Sequence, residues 1–237
     1  MKQLSKHLYL LNLSGVNAYL LDKAGDLILI DTGSPGDEEK IESELREIGK
    51  SISHLSGIIV THCHPDHAGS LAAVQKQTEA PTFMHHIDAE LVEAGRAMRS
   101  MTPTPGLLNR LLFRLFIAPS PKQIDPARVD HQLEDDEVLN LAGGLRVVHT
   151  PGHSAGQIAL LWEDESVLFV ADALINLPRL NYMLGYEDFA VGKRSANRLS
   201  HLNFETVGFG HGKPILKDGS KLFRSKFVLD KKLKVKV

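Results

Sequence analysis

The sequence predicts a mixed α/β fold in which two clusters of short strands each carry a helical cover. Three observations lead there. Apolar residues make up 43% and charged residues 24% of the 237-residue chain, the balance of a chain able to bury a core. Short apolar runs punctuated by glycine recur in the first third and again from position 145 onward, at strand length. Other segments repeat their apolar residues at helical spacing. The length fits one large domain, residues 1–237.

The runs 8–13, 18–21 and 27–30 are punctuated by Gly15, Gly25 and Gly33. No long crossover separates them, so an antiparallel start is expected. Residues 37–48 carry Ile41, Leu45 and Ile48 at helical spacing with acids early, where the helix dipole favours them. Residues 57–60 read as a buried strand running directly into the polar stretch 61–67, and 68–77 has helix-forming composition. A short strand at 82–84 and a helix at 87–98 follow. Strands at 145–149, 158–162 and 167–170 form the second cluster, covered by 193–202 and a helix starting near Ser220. The main insertion, 102–121, is bounded by Pro103, Pro105, Pro119 and Pro121. Within it Leu107, Leu108, Leu111, Leu112 and Leu115 share one helical face, with Arg110 and Arg114 one turn apart on another. Plain core packing is the first reading of this stripe; a lid, a homodimer contact and a membrane-surface element are the others.

Charge and cysteine content narrow the function. Lys and Arg number 27 against 29 Asp and Glu, a formal net charge of −2, so no bulk field draws the protein to nucleic acid, and no nucleic-acid partner is expected. The single cysteine, Cys63, excludes an internal disulfide and fits a reducing compartment. Asn12 interrupts the first apolar run and no small-residue cleavage site follows, so a strand is expected there and not a signal peptide. No window approaches the roughly 20 apolar residues of a membrane span. A cytoplasmic protein acting on a small molecule is expected. The seven Lys and Arg against one Asp between Lys221 and Val237 read as a solvated basic tail.

Twelve histidines are the compositional oddity. The stretch Thr61-His62-Cys63-His64-Pro65-Asp66-His67 puts three imidazoles and a carboxylate within six residues. Side chains alternate along an extended turn, so His62 and His64 point one way and Cys63 the other. Asp66 and His67, where a helix is expected to begin, turn toward a neighbouring point. Two adjacent metal positions follow, and imidazole with carboxylate suits zinc first, iron or manganese otherwise.

That stretch resembles the H-x-H-x-D-H signature of the metallo-β-lactamase superfamily. Further landmarks appear in that family's order: Asp31-Thr32-Gly33 after an apolar strand, His153 within Thr150-Pro151-Gly152-His153-Ser154, Asp172, and His211 within Gly208-Phe209-Gly210-His211-Gly212. The resemblance implies a four-layer αβ/βα sandwich with its site at one edge of two facing sheets. It implies two zinc ions per chain, one held by His62, His64 and His153, the other by Asp66, His67 and His211, with Asp172 bridging. Two such cations about 3.5–4 Å apart share a hydroxide and supply a nucleophile near neutral pH, so a hydrolase of a small carboxylic ester, thioester or lactone is expected, with Asp66 and Asp172 as catalytic carboxylates. Asp31 is expected either to hold a ligand imidazole by its other nitrogen or to form an Asx-turn. Ile175, Tyr182, Met183 and Tyr186 are the candidate pocket residues. His85 and His86 are expected to pack or to support ligands.

Rival readings remain. Gly152-His153-Ser154-Ala155-Gly156 matches G-x-S-x-G, and Ser154, Asp172 and His211 follow the order of a serine-hydrolase triad. Pro151 breaks the approaching strand, however, and 158–162 reads as a strand where that motif needs a helix. Within the resemblance, Asp172 speaks against a true β-lactamase and His64 against flavodiiron proteins, which carry glutamate there. Ile175 stands where quorum-signal lactonases have tyrosine. Only 26 residues follow His211, short of the glutathione-binding domain of hydroxyacylglutathione hydrolases. A mononuclear-iron persulfide dioxygenase, a phosphodiesterase and a non-catalytic metal-binding module stay open as well.

Overall fold

The computed structural model describes residues 1–228. Its first sheet has seven strands, in the spatial order Lys2–Gln3, Leu8–Asn12, Asn17–Lys23, Asp26–Ile30, Gly57–Ile59, Thr82–His85 and His131–Leu133. The first four pair antiparallel through short turns, which for the last three of them is the antiparallel start expected. The others join in parallel, because each is reached by a crossover containing at least one helix. These helices are Glu38–Arg46, then Pro65–Ala68 with Leu71–Gln75, then His86–Glu93. The second sheet runs Thr206–Gly208, Val167–Phe169, Ile158–Trp162, Leu145–His149 and Val138–Leu139. Its pairs are antiparallel except Thr206–Gly208 beside Val167–Phe169, where the helix Phe189–Ser200 makes the crossover.

Strand side chains alternate between faces, and here both faces are buried. Tyr19, Leu21, Ile28 and Ile30 meet Ile158, Leu160, Trp162 and Phe169 in the core between the sheets. Their neighbours Ala18, Leu20, Leu27 and Leu29 face outward onto Ile41, Leu45, Leu71, Val74 and Val92 of the first helical layer. Ala159, Leu161 and Leu168 likewise face Ala196, Leu199, Phe223 and Phe227, from Phe189–Ser200 and the helix Gly219–Phe227. The order is helix, sheet, sheet, helix. Double burial is why these strands read as continuous apolar runs.

Four expectations need correction. The helix expected over 68–77 is split, because Gly69 and Ser70 break it between Ala68 and Leu71; a Cβ at Gly69 would lie 2.6 Å from the Pro35 nitrogen. The helix expected to reach 98 stops at Glu93, with Gly95 at φ +69° turning the chain. Lys2–Gln3, His131–Leu133, Val138–Leu139 and Thr206–Gly208 were not expected as strands; all four are two or three residues long and lie at sheet edges. The apolar stripe of the insertion is not core. It forms the helix Leu107–Leu112 continued by a π-helical turn Phe113–Ile117, and its leucines 107, 108, 111 and 115 are 54–85% exposed. Of the basic tail, residues 229–237 lie outside the described residues. Among the described residues no helix is long and apolar enough to cross a membrane.

Candidate metal centre

Strand ends deliver the site. The strand Gly57–Ile59 leads into the 61–67 loop, Leu145–His149 into the loop with His153, Val167–Phe169 into Asp172, and Thr206–Gly208 into His211. Loops at one edge of two facing sheets thus bring together residues far apart in sequence. Their donor atoms form three overlapping groups, each within 4.8 Å: His62, His64 and His153; His62, His67 and Asp172; Asp66, His67 and His211. The first and third are the triads expected from the sequence. Asp172 lies between them, its Oδ2 3.5 Å from His153 Nε2 and 3.3 Å from His211 Nε2, its Oδ1 3.5 Å from His67 Nε2. Asp66 Oδ2 is 3.2 Å from His211 Nε2.

The outward nitrogens of His62, His67, His153 and His211 are held by the chain, which determines what faces inward. His153 Nδ1 donates to the Gly185 carbonyl at 2.9 Å and His211 Nδ1 to that of Gly15 at 2.9 Å. His67 Nδ1 donates to Asp31 Oδ2 at 2.8 Å, so Asp31 does support an imidazole. Asp31 sits at φ +63° and also accepts from the Thr61 N–H and hydroxyl. With its proton engaged there, Thr61 Oγ1 accepts from His62 Nδ1 at 3.1 Å. One buried chain of hydrogen bonds therefore fixes which nitrogen of His62 and of His67 points outward, leaving each Nε2 aimed inward, where that of His67 offers its lone pair once a cation displaces the proton. His153 Nε2 then approaches His64 Nδ1 to 2.9 Å with its lone pair forward.

This donor set fits a metal. His62 Nε2, His67 Nε2 and Asp172 Oδ1 are buried without a hydrogen-bond partner, an arrangement that costs stability unless a cation satisfies it. Protonation preferences agree. Burial, reinforced by neighbouring imidazoles, lowers His62, and burial holds His64 down to about 3. For His211, burial acts downward but is outweighed by Asp172 and Asp66, which push it up to about 10; for His67 too burial acts downward, and Asp172, Asp31 and Asp66 outweigh it and raise the imidazole. Burial would raise Asp172, yet His211 and His67 hold it well below the usual carboxylate range. The centre is thus a negative pocket that gathers positive charge.

Glycine makes room for it. A Cβ on Gly210 would run into Asp172 Oδ1 and lie 2.7 Å from His67 Cε1. The Gly210 loop is pinned from the opposite sheet. Asn17 Nδ2 donates to the carbonyls of Phe209 and Gly212, while the Tyr19 hydroxyl accepts from Phe209 N–H and donates to its carbonyl.

The sequence missed Asp88 and Arg99. Fully buried Asp88 accepts from Cys63 N–H (3.1 Å), Ser154 Oγ (2.6 Å), Gly156 N–H (3.0 Å) and Arg99 Nη1 (2.7 Å). It ties the loop of His62 and His64 to the loop of His153. A helix-face aspartate carries no sequence signal for this, although its place after the Thr82–His85 strand is the one hint. Ser154 is spent on this staple: no histidine is among its partners, and the strand Ile158–Trp162 follows it, so the serine-triad geometry is not present. Cys63 is buried and turned toward Ser154, away from the ligand nitrogens.

The candidate pocket residues divide. Tyr186 is buried edge-on to His153 at 5.8 Å, its hydroxyl donating to the Ala173 carbonyl and accepting from Met183 N–H. Met183 is buried, Ile175 is half-buried, and Tyr182 packs on Phe189 and Phe227 behind the second sheet. His85 stacks on His86 and on His149 at 4.1 Å, and with Glu134 the first two form another compact donor group, away from the metal loop.

The metallo-beta-lactamase superfamily model matches residues 11–211, a span containing every residue of both triads and Asp172. The chain belongs to this superfamily. A crystal structure of a metallo-beta-lactamase family protein from Thermus thermophilus superposes with a TM-score of 0.69 at 29% identity, covering 94% of this chain and 80% of that one. Among curated superfamily relatives, "Probable metallo-hydrolase YqgX" of Bacillus subtilis (strain 168) is 26% identical over 67% of this chain. An atrochrysone carboxyl ACP thioesterase of Pseudocercospora fijiensis is 24% identical over 84% of it. The chain spans 65% and 48% of these two relatives.

Proposed function

We propose that the protein is a metal-dependent hydrolase that holds two zinc ions and cleaves a small carboxylic ester, thioester or lactone. One cation would be held by His62, His64 and His153, the other by Asp66, His67 and His211, with Asp172 shared. Bound there, the metals supply Lewis acidity and an acidified water as nucleophile. The chain's own part is to orient the ligands: Gly185, Gly15, Asp31 and Thr61 hold the outward nitrogens of His153, His211, His67 and His62. The observation that carries this reading is the buried Asp172 carboxylate, within 3.5 Å of ligand nitrogens from both triads. A purely structural zinc site would close with four protein ligands around one ion. The relatives described as a metallo-hydrolase and a thioesterase support the reaction class.

Metal analysis of the purified protein, with a screen of esters, thioesters, lactones and phosphodiesters with and without chelator, tests it. Two zinc ions per chain and chelator-sensitive ester or thioester cleavage are expected; a single iron, or turnover indifferent to chelation, contradicts the proposal. Asp172→Ala is expected to fold, bind less metal and lose turnover by at least about a hundredfold. An Asp172→Ala variant that keeps both metals and full turnover refutes the shared role.

A further inference from the structure

The insertion helix is left over by this account. Residues 107–117 present Leu107 (85% exposed), Leu108, Leu111, Leu115 and Phe116 to solvent, all more than half exposed. Such a cluster on one short helix is not the scattered apolar exposure of an ordinary surface. The helix is anchored from its other side: Phe113 packs against Gly185, where a Cβ would lie 2.6 Å from its ring, and the Gly185 carbonyl holds His153. The helix therefore lies next to the metal centre, with its apolar face turned to solvent.

Charge selects what covers it. Exposed Arg110 and Arg114 flank the leucines, and among the described residues neither guanidinium has an ion pair or hydrogen bond. Between positions 94 and 124 the sequence holds Arg96, Arg99, Arg110, Arg114 and Lys122 and no Asp or Glu. Arg99 is paired with Asp88 and Glu187, so the unpaired positive charge on the helix itself is that of Arg110 and Arg114. A second copy meeting the same face would oppose arginines to arginines with no acid to pair them. A convex apolar stripe edged by arginine matches an anionic lipid surface, where leucines enter the acyl boundary and guanidiniums meet phosphates.

We propose that residues 107–117 dock the protein reversibly on anionic membrane surfaces, beside its metal centre. This stands apart from the hydrolase reading, since binding needs no turnover. The test is co-sedimentation of the metal-loaded full chain with vesicles of phosphatidylcholine mixed with phosphatidylserine, and of phosphatidylcholine alone. Binding to the mixed vesicles that weakens with added salt is expected. Leu107→Ser with Leu111→Ser should weaken it by at least about tenfold. Arg110→Gln with Arg114→Gln should weaken it about twentyfold on mixed vesicles and little on phosphatidylcholine. These side chains are exposed, so unchanged thermal unfolding of the variants shows that the fold is intact. Absence of binding to mixed vesicles, or leucine variants that bind like the parent, overturns the proposal. So does light scattering that finds a dimer dissolved by the leucine substitutions in a protein that ignores vesicles.

Discussion

Asp88→Ala is the sharpest test of how the fold holds its site. One carboxylate with no solvent contact receives four donors, from Cys63, Ser154, Gly156 and Arg99. Burial alone would raise its pKa, but Ser154 and Arg99 outweigh that and keep it ionised. Removing it leaves two buried N–H groups unpaired and Arg99 without its main partner. Breaking a buried pair from one side costs about 3–5 kcal/mol. Arg99 keeps 30% of its side chain in solvent, which places the loss at the lower end, about 3 kcal/mol. Asp88→Asn keeps the shape and one acceptor, so about half of that loss is expected. Urea unfolding of the metal-stripped protein reads the cost as a midpoint shift at constant slope. Because the staple joins the two loops carrying His62, His64 and His153, metal affinity should also fall by about 10–100-fold. A loss below about 1 kcal/mol with unchanged metal affinity would mean that these loops hold themselves and that the staple argument is wrong.

Other substitutions probe separate links. Gly210→Ala should fold, since the clash is local to Asp172 and His67, yet lose metal from the Asp66, His67 and His211 group; metal content at the parental level would contradict the close packing described. Ser154→Ala should cost about 1 kcal/mol through the lost bond to Asp88 and retain turnover, whereas a dead enzyme with intact metal content, or labelling of Ser154 by a serine-directed probe, would revive the serine mechanism. The pH dependence follows from His67 and His211, both raised, His211 to about 10. Groups so raised hold protons through neutrality, and a cation must displace them, so apparent metal affinity should climb as pH rises from 6 toward 10 and fall with acid. Calorimetry in buffers of different ionisation enthalpy should find protons released on metal uptake; none released at pH 7 would count against those shifts.

Chemistry that sits close together in the chain was legible beforehand. The 61–67 stretch announces a candidate metal site because its ligand types are contiguous, and the doubly buried strands at 145–149 and 158–162 announce themselves as apolar runs. The short edge strands did not, since two or three residues carry no period. The insertion misled because an apolar stripe has the same spacing whether it faces a core or solvent; its 54–85% exposed leucines are a fact of the surroundings.

By itself the sequence determined the candidate ligand inventory, the longer strands and helices and the turn glycines, since these depend on residue type and near neighbours. Only the tertiary structure decided that Asp172 stands between two imidazole groups, that Asp88 ties two loops, and that Thr61 and Asp31 hold the outward nitrogens of His62 and His67. Those relations join residues between 1 and 110 positions apart, and a hydrogen bond depends on distance in space, which chain order does not encode.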